Sequence, residues 1–244
     1  MDKGDFAGKV VAVSGGAGGI GGAIARRFAA DGALLVLIDR DEARLVDMSR
    51  TVDRSRIVVC DQRRHEDIER AAHETGEVDV FVNNAGIIVR KPVLEMATAE
   101  ISDLLSVNLE GAIRMAVGIG RGMLARGRGV VLNISSQHAF VGAEGRAIYA
   151  ATKAAMVQFT RSSAAEWGRS GVRVVGLAPG PVESPMTADA LKSDEYRRAF
   201  LERIPIGRFL SCDEIAEVAF QLCRPGMAAI LGHTVLADGG CSLT

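Results

Sequence analysis

The stretch "AVSGGAGGIGGAIA", residues 12–25, places six glycines between Gly15 and Gly22. Glycine loses more conformational freedom on folding than any other residue, so this concentration requires a use for bare backbone. The flanks supply one. "KVVAV" (9–13) is a short apolar run of strand type, and "IGGAIARRFAADG" (20–32) has apolar residues at helical spacing and stops at a glycine. A flexible linker is not framed this tightly by periodic elements. A strand, a glycine turn and a helix let backbone N–H groups approach a pyrophosphate at the helix N-terminus. Two registers fit, Gly16-x-Gly18-x-x-Gly21 and Gly15-x-x-x-Gly19-x-Gly21, and neither is specific alone.

The same alternation continues outward. "LLVLI" (34–38), "RIVVC" (56–60), "VDVFV" (78–82), "GVVLNI" (129–134), "VRVVGLA" (172–178) and "HTVLA" (233–237) are strand-like, and helical patterns separate most of them. Runs this apolar belong to strands buried on both faces, which predicts an α/β fold with a doubly wound parallel sheet covered by helices. No repeat or Pro/Ser-rich linker divides the 244 residues, so residues 1–244 read as one domain.

Composition narrows the function. With 29 basic and 30 acidic side chains, the chain has no strong field for nucleic acid or anionic membrane, and neither is expected as a partner. Cysteines 60, 212, 223 and 241 and histidines 65, 73, 138 and 233 are scattered, so no metal site or disulfide framework is expected, and free thiols fit the cytoplasm. The amino terminus "MDKGDFAGK" lacks a signal-peptide run, and "ALLVLI" (33–38) is too short to span a bilayer.

Asp39 closes the second strand-like run 18 residues after Gly21, where a carboxylate would meet ribose hydroxyls. Asp39-x-x-Glu42 also fits a helix-capping pair. Tyr149 and Lys153 are four apart in "AIYAATKAAM", which puts them on one helix face. A Tyr-x-x-x-Lys pair is common by chance. Here it is joined by "NISSQ", with Ser136 thirteen residues before Tyr149, by "NNAG" (83–86), and by Asn108 in "SVNLEG".

With these motifs, the chain closely resembles the short-chain dehydrogenase/reductase family, from "VAVSGGAGGIG" to "LAPGPVESP" and "VLADGG". The resemblance implies a Rossmann-fold domain with a seven-stranded sheet in the order 3-2-1-4-5-6-7. It implies a nicotinamide cofactor and a catalytic tetrad of Asn108, Ser136, Tyr149 and Lys153. Tyr149 would be the acid/base, Ser136 would bind the reacting oxygen, Lys153 would hold the nicotinamide ribose, and Asn108 would anchor a water. Cofactor contacts carry over to Gly15, Gly18, Gly19, Ile20, Gly21, Asp39, Asp61 (adenine), Asn83, Ala85, Gly86, Tyr149, Lys153, Pro179, Gly180, Val182 and Ser184. Ser14 and Ser184 stand where the family commonly has threonine.

A phenol has a pKa of ~10, and moving it near neutrality needs about 4 kcal/mol of preference for phenolate. One ammonium at ~4 Å and an effective dielectric near 20 supplies about that. Lys153 is therefore expected to activate Tyr149. Asp39 predicts NAD over NADP, with Arg40 as the competing influence. The expected reaction interconverts a secondary alcohol and a ketone, or a sugar hydroxyl and its lactone or keto form. A 3-oxoacyl thioester reductase using NADPH is the alternative, followed by a non-catalytic nicotinamide-sensing module. "NNAG" and the Tyr149/Lys153 pair oppose a methyltransferase.

Gln137 and His138, beside Ser136 and Tyr149, are candidate substrate contacts and favour a sugar or polyol. Arg90, Lys91 and Arg146 would suit an anion. Residues 137–148 and 186–205 are expected to form a wall and a mobile lid, the latter bounded at about 185–206. Small residues in 98–125 and 148–167 could pack on the sheet, and the resemblance implies a homotetramer or homodimer.

Overall fold

The seven strand-like runs become seven strands, each within two residues of its expected bounds. The computed structural model describes residues 4–188 and 192–243. The first half comprises β1 (Val10–Ser14), α1 (Gly19–Ala30), β2 (Leu34–Asp39), α2 (Glu42–Ser49), β3 (Ser55–Val59), α3 (His65–Thr75) and β4 (Val80–Asn83). Then α4 (Thr98–Leu105), a π-helical segment (Ser106–Gly111) and α5 (Ala112–Arg126) lead into β5 (Gly129–Ile134), α6 (Ala147–Trp167) and β6 (Val172–Pro179). The C-terminal part holds short β7 (Val182–Glu183), α7 (Asp194–Leu201), short β8 (Leu210–Ser211), α8 (Cys212–Cys223) and β9 (Thr234–Ala237).

The main sheet is parallel throughout and ordered β3-β2-β1-β4-β5-β6-β9, while β7 and β8 pair separately. Alternate residues of the central strands feed two cores. Val11, Val13, Leu35 and Leu37 pack with Ile24 and Phe28 of α1 and Phe220 of α8. Ala12, Val36, Ile38 and Phe81 pack with Met115 and Ile119 of α5. Burial of each large side chain is worth about 1.5–3 kcal/mol, and these strands have no solvent face, as their sequence implied.

Helix ends are set by local chemistry. Asp41, not Asp39, caps α2 by accepting from Arg44 N at 3.1 Å, so the Asp39/Glu42 capping reading is not realised. Ser211 and Glu214 form a reciprocal capping box on α8, at 3.1 and 2.9 Å. α5 stops at Gly127, whose φ of 66° suits a residue without a side chain.

The strand order reverses between β1 and β4, which opens a crevice at their carboxyl ends. The glycine loop, "NNAG" and the end of β5 all open there. Of the expected lid, Met186, Thr187 and α7 border this crevice region, and Asp189–Leu191 lie outside the described residues.

Candidate active site

The glycine loop turns at Gly15 (φ 66°) and Gly19 (φ 55°), a backbone region that favours glycine. At Gly21 a Cβ would collide with the Gly15 carbonyl and with Asn84. No side chain caps α1, so its first turn presents N–H groups at the crevice. Ser14 Oγ accepts from Asn84 N (3.0 Å) and Ala85 N (3.1 Å), and Asn84 Nδ2 donates to Ser14 O (3.0 Å). These bonds stitch β1 to the start of the "NNAG" loop. Gly15, Gly18, Gly19, Ile20, Asp39, Ala85, Gly86 and Ser184 line the resulting groove.

Asn83 does not share that lining. Its side chain is 3% exposed and donates to Ala112 O (2.9 Å) and Asn133 Oδ1 (3.0 Å). Asn133 in turn donates to Thr160 Oγ1 at 2.9 Å, so Asn83 belongs to a buried polar ladder through β4, β5 and α6. In a strand, neighbouring side chains point to opposite faces, and the crevice contact expected of Asn83 falls to Asn84.

At the other end of the groove, Asp39 accepts from Ala17 N (3.3 Å) and Asp41 N (3.2 Å), tying β2 to the glycine loop. Arg40 borders the same cavity. Arg44, which the sequence reading passed over, reaches back so that its guanidinium stands beside Gly18. Asp61 lines the cavity too, yet both its oxygens accept from Arg63, and this holds its carboxyl below the usual range. Gln62 lies next to it, 6% exposed, with both polar atoms of its carboxamide unpaired among the described residues. Nothing in the sequence marked Gln62, because its neighbours rather than its spacing make it unusual.

Ser136, Tyr149 and Lys153 converge at the floor of the main cleft. The Ser136 hydroxyl acts on the Tyr149 phenol as a hydrogen-bonding partner that favours phenolate. Lys153 Nζ donates to Ile134 O at 3.0 Å and lies 5.9 Å from the Tyr149 ring centroid. Burial lowers Lys153 to about 8 and pushes the Tyr149 phenol above its ordinary value. The Ser136 hydrogen bond and the charges of Arg90 and Arg146 pull the phenol down, but burial prevails. The ammonium is committed to a backbone carbonyl, and desolvation outweighs the favourable charges.

Asn108 is fixed in place by two hydrogen bonds to Ile87. Its Oδ1 accepts from Ile87 N and its Nδ2 donates to Ile87 O, each at 2.8 Å. The side chain is a clasp on the residue that follows the "NNAG" loop. Gly86 leaves the gap between Asn108 Oδ1 and Lys153 Nζ open, since a Cβ there would sit 3.3 Å from both.

The cleft wall carries Gln137, His138, Arg90, Arg146, Pro179, Gly180 and Val182. Gln137 is 4% exposed, and its Oε1 and the His138 Nδ1 lack hydrogen-bond partners among the described residues. Burial and the charges of Arg146, Arg90 and Arg203 lower His138 to about 4. Ser184 lines the cleft, and Thr187 pins its loop by accepting from Ser184 N (3.0 Å) and donating to Val182 O (2.6 Å). Lys91 is paired with Glu100 at 3.1 Å and stands outside the main cleft. No group of His, Cys, Asp or Glu among the described residues could hold a metal, and no described helix is long and apolar enough to cross a membrane.

Comparison with known proteins agrees with this architecture. A family model described as enoyl-(acyl carrier protein) reductase matches residues 15–242. Galactitol 2-dehydrogenase (L-tagatose-forming) of Cereibacter sphaeroides is 35% identical over 240 residues, covering 96% of this chain and 94% of that protein. The crystal structure of a gluconate 5-dehydrogenase from Burkholderia cenocepacia in complex with NADP and tartrate is 31% identical with a TM-score of 0.93, covering 98% and 96% of the two chains. A 3-ketoacyl-(acyl-carrier-protein) reductase from Brucella melitensis complexed with NADH is 31% identical with a TM-score of 0.90, covering 97% and 99%. The chain belongs to the short-chain dehydrogenase/reductase family, whose members are oxidoreductases acting on CH–OH groups.

Proposed function

We propose that this protein is an NAD-linked dehydrogenase of a small polyhydroxylated compound, with Tyr149 as its acid/base. The observation that carries the reading is the convergence of Ser136, Tyr149 and Lys153 at the floor of a cleft that shares Ile20, Asn84, Gly86 and Ser184 with the glycine-loop groove. The groove fits a dinucleotide. Its uncapped α1 N-terminus suits a pyrophosphate, Asp39 suits a ribose, and the unpaired Gln62 carboxamide lies where polar ligand edges would satisfy it. The remaining cofactor contacts are those carried by the resemblance, with Asn84 in place of the Asn83 side chain.

Bound oxidised nicotinamide supplies a hydride acceptor and a positive charge that favours phenolate. Ser136 holds the substrate oxygen, and Tyr149 takes its proton. Lys153, anchored on Ile134 O, holds the ribose side of the cleft, and Asn108 acts through Ile87 by fixing the loop between them. A panel of polyols and sugars with NAD and NADP, followed by nicotinamide absorbance, tests the reading. No turnover by a protein that binds NADH would overturn it and favour a sensing module.

A second reading, an NADPH-dependent 3-oxoacyl reductase, has support in Arg40 and Arg44, two guanidiniums beside Asp39 and Gly18 that suit a 2′-phosphate. The segment at about 185–206 is proposed as the lid. A cytoplasmic homotetramer is proposed from the four free thiols, the outer edge of β9 with Leu236 39% exposed, and the exposed Ala151 and Ala154 on α6. Light scattering of the purified chain tests the assembly, with a monomer as the refuting result.

A further inference from the structure

Beyond Asp39 the cofactor groove continues into a cavity lined by Ile38, Cys60, Asp61, Gln62 and Val107. Gly15, Asp39, Ala85 and Gly86 border both spaces. A dinucleotide with its pyrophosphate on the glycine loop and a ribose at Asp39 therefore carries its base into this cavity. The backbone around Gln62 is fixed from two sides. Cys60 N donates to Asp39 O at 2.8 Å, and Arg64 N donates to Asp61 O at 2.9 Å. Against it stands Gly111 of the π-helical segment, where a Cβ would collide with the Gln62 carbonyl and lie 2.9 Å from the Gln62 Cβ.

Asp61 and Gln62 are neighbours in this wall and differ in what their side chains have left to bond. Both oxygens of Asp61 accept from Arg63, Oδ1 from Nε at 3.0 Å and Oδ2 from Nη2 at 2.5 Å. Gln62 is 6% exposed, and neither its Nε2 nor its Oε1 has a partner among the described residues. A buried carboxamide without partners opposes folding, so its presence calls for a group from outside the chain to complete it. The cavity it lines is the route by which such a group arrives.

Resting on the nicotinamide-dinucleotide reading above, we infer that Gln62 selects the adenine base of the cofactor, its Oε1 accepting from the 6-amino group and its Nε2 donating to the adjoining ring nitrogen. A carboxamide offers one donor and one acceptor side by side, and adenine presents the complementary pair along the edge that carries its amino group. Asp61 remains a wall of the pocket, with its charge directed to Arg63. Base selectivity then lies in the uncharged side chain beside that carboxylate. The rigid backbone on both sides of Gln62 means that little order has to be gained when the base arrives.

Calorimetric titration of the full chain with NADH and with reduced 1,N6-etheno-NAD tests this without turnover, because the etheno bridge removes the amino donor. The parent should bind NADH about tenfold or more tightly than the etheno form. In Gln62→Met, a side chain of similar length, NADH affinity should fall about tenfold to a hundredfold and the preference should vanish. Without cofactor, the same variant should unfold at a higher urea midpoint than the parent, since a partnerless buried carboxamide has been removed. A carboxamide completed by a buried water requires the opposite, a lower midpoint with unchanged NADH affinity, and that result overturns the inference. A preference that persists in Gln62→Met overturns it too, by marking steric exclusion of the etheno ring. Equal affinity of the parent for the two dinucleotides also overturns it, and that measurement needs no variant to fold. The expected preferences without turnover of any alcohol uphold the adenine contact and overturn the dehydrogenase reading instead.

Discussion

Replacing Asn108 by leucine should destabilise the fold and loosen the cofactor loop together. Asn108 is 1% exposed, and its two bonds to Ile87 leave that residue's N–H and C=O partnered by nothing else of the same kind in the loop. Leucine has about the right volume and no polar atoms, so both backbone groups of Ile87 lose their partners. At about 1–2 kcal/mol for each orphaned group the loss is about 2–4 kcal/mol, and leucine's own burial returns about 1 kcal/mol. The net expectation is about 1–3 kcal/mol. Urea unfolding of parent and variant, with nicotinamide fluorescence of bound NADH, measures both effects. Asn108→Asp sharpens the test. It keeps an acceptor for Ile87 N but turns a second oxygen toward Ile87 O, so it should not rescue. A leucine variant within about 0.5 kcal/mol of the parent would refute the clasp.

Tyr149→Phe should lower kcat by about 10²–10⁴-fold while leaving NADH affinity near that of the parent, since the phenol is assigned to proton transfer; near-normal turnover would remove it from the mechanism. Asp39→Ser should erode NAD preference, expected in the parent as at least tenfold in kcat/KM, or about 1.4 kcal/mol; equal use of both cofactors by the parent would give Arg40 and Arg44 control of the pocket. His138 is held at about 4 against an ordinary 6.5, so the unfolded chain binds more protons between those values. Stability should therefore fall as pH drops from about 6.5 to about 4, and His138→Gln should lack that component in urea midpoints measured across the window.

The fold was legible because it rests on local signals. Seven apolar runs, a glycine turn and helical spacing need no knowledge of partners, and all of them survive into the sheet. The floor of the cleft was legible for a similar reason, as Tyr149 and Lys153 share one helix and Ser136 ends a neighbouring strand. What escaped depends on side-chain direction and on distant neighbours. Asn83 and Asn84 are indistinguishable in sequence, yet one enters the sheet and the other faces the crevice. Arg44 sits a helical turn beyond Asp39, and only the path of its side chain brings it to Gly18. The burial that raises the Tyr149 phenol cannot be read from a four-residue spacing.

The π-helical segment Ser106–Gly111 has a consequence for how this chain tolerates change in length. Such a turn holds one residue more than an α-helix would use, so deleting a residue there would let α4 and α5 join as an uninterrupted helix with better internal hydrogen bonding. The surplus residue is absorbed within the turn, so the same deletion would leave the flanking helices in register and give the residues of the turn itself new directions. Asn108 would then swing away from Ile87. A shortening that repairs the helix would dismantle the loop beside Lys153, so the helix carries a surplus residue at the point where its neighbours depend on the imperfection.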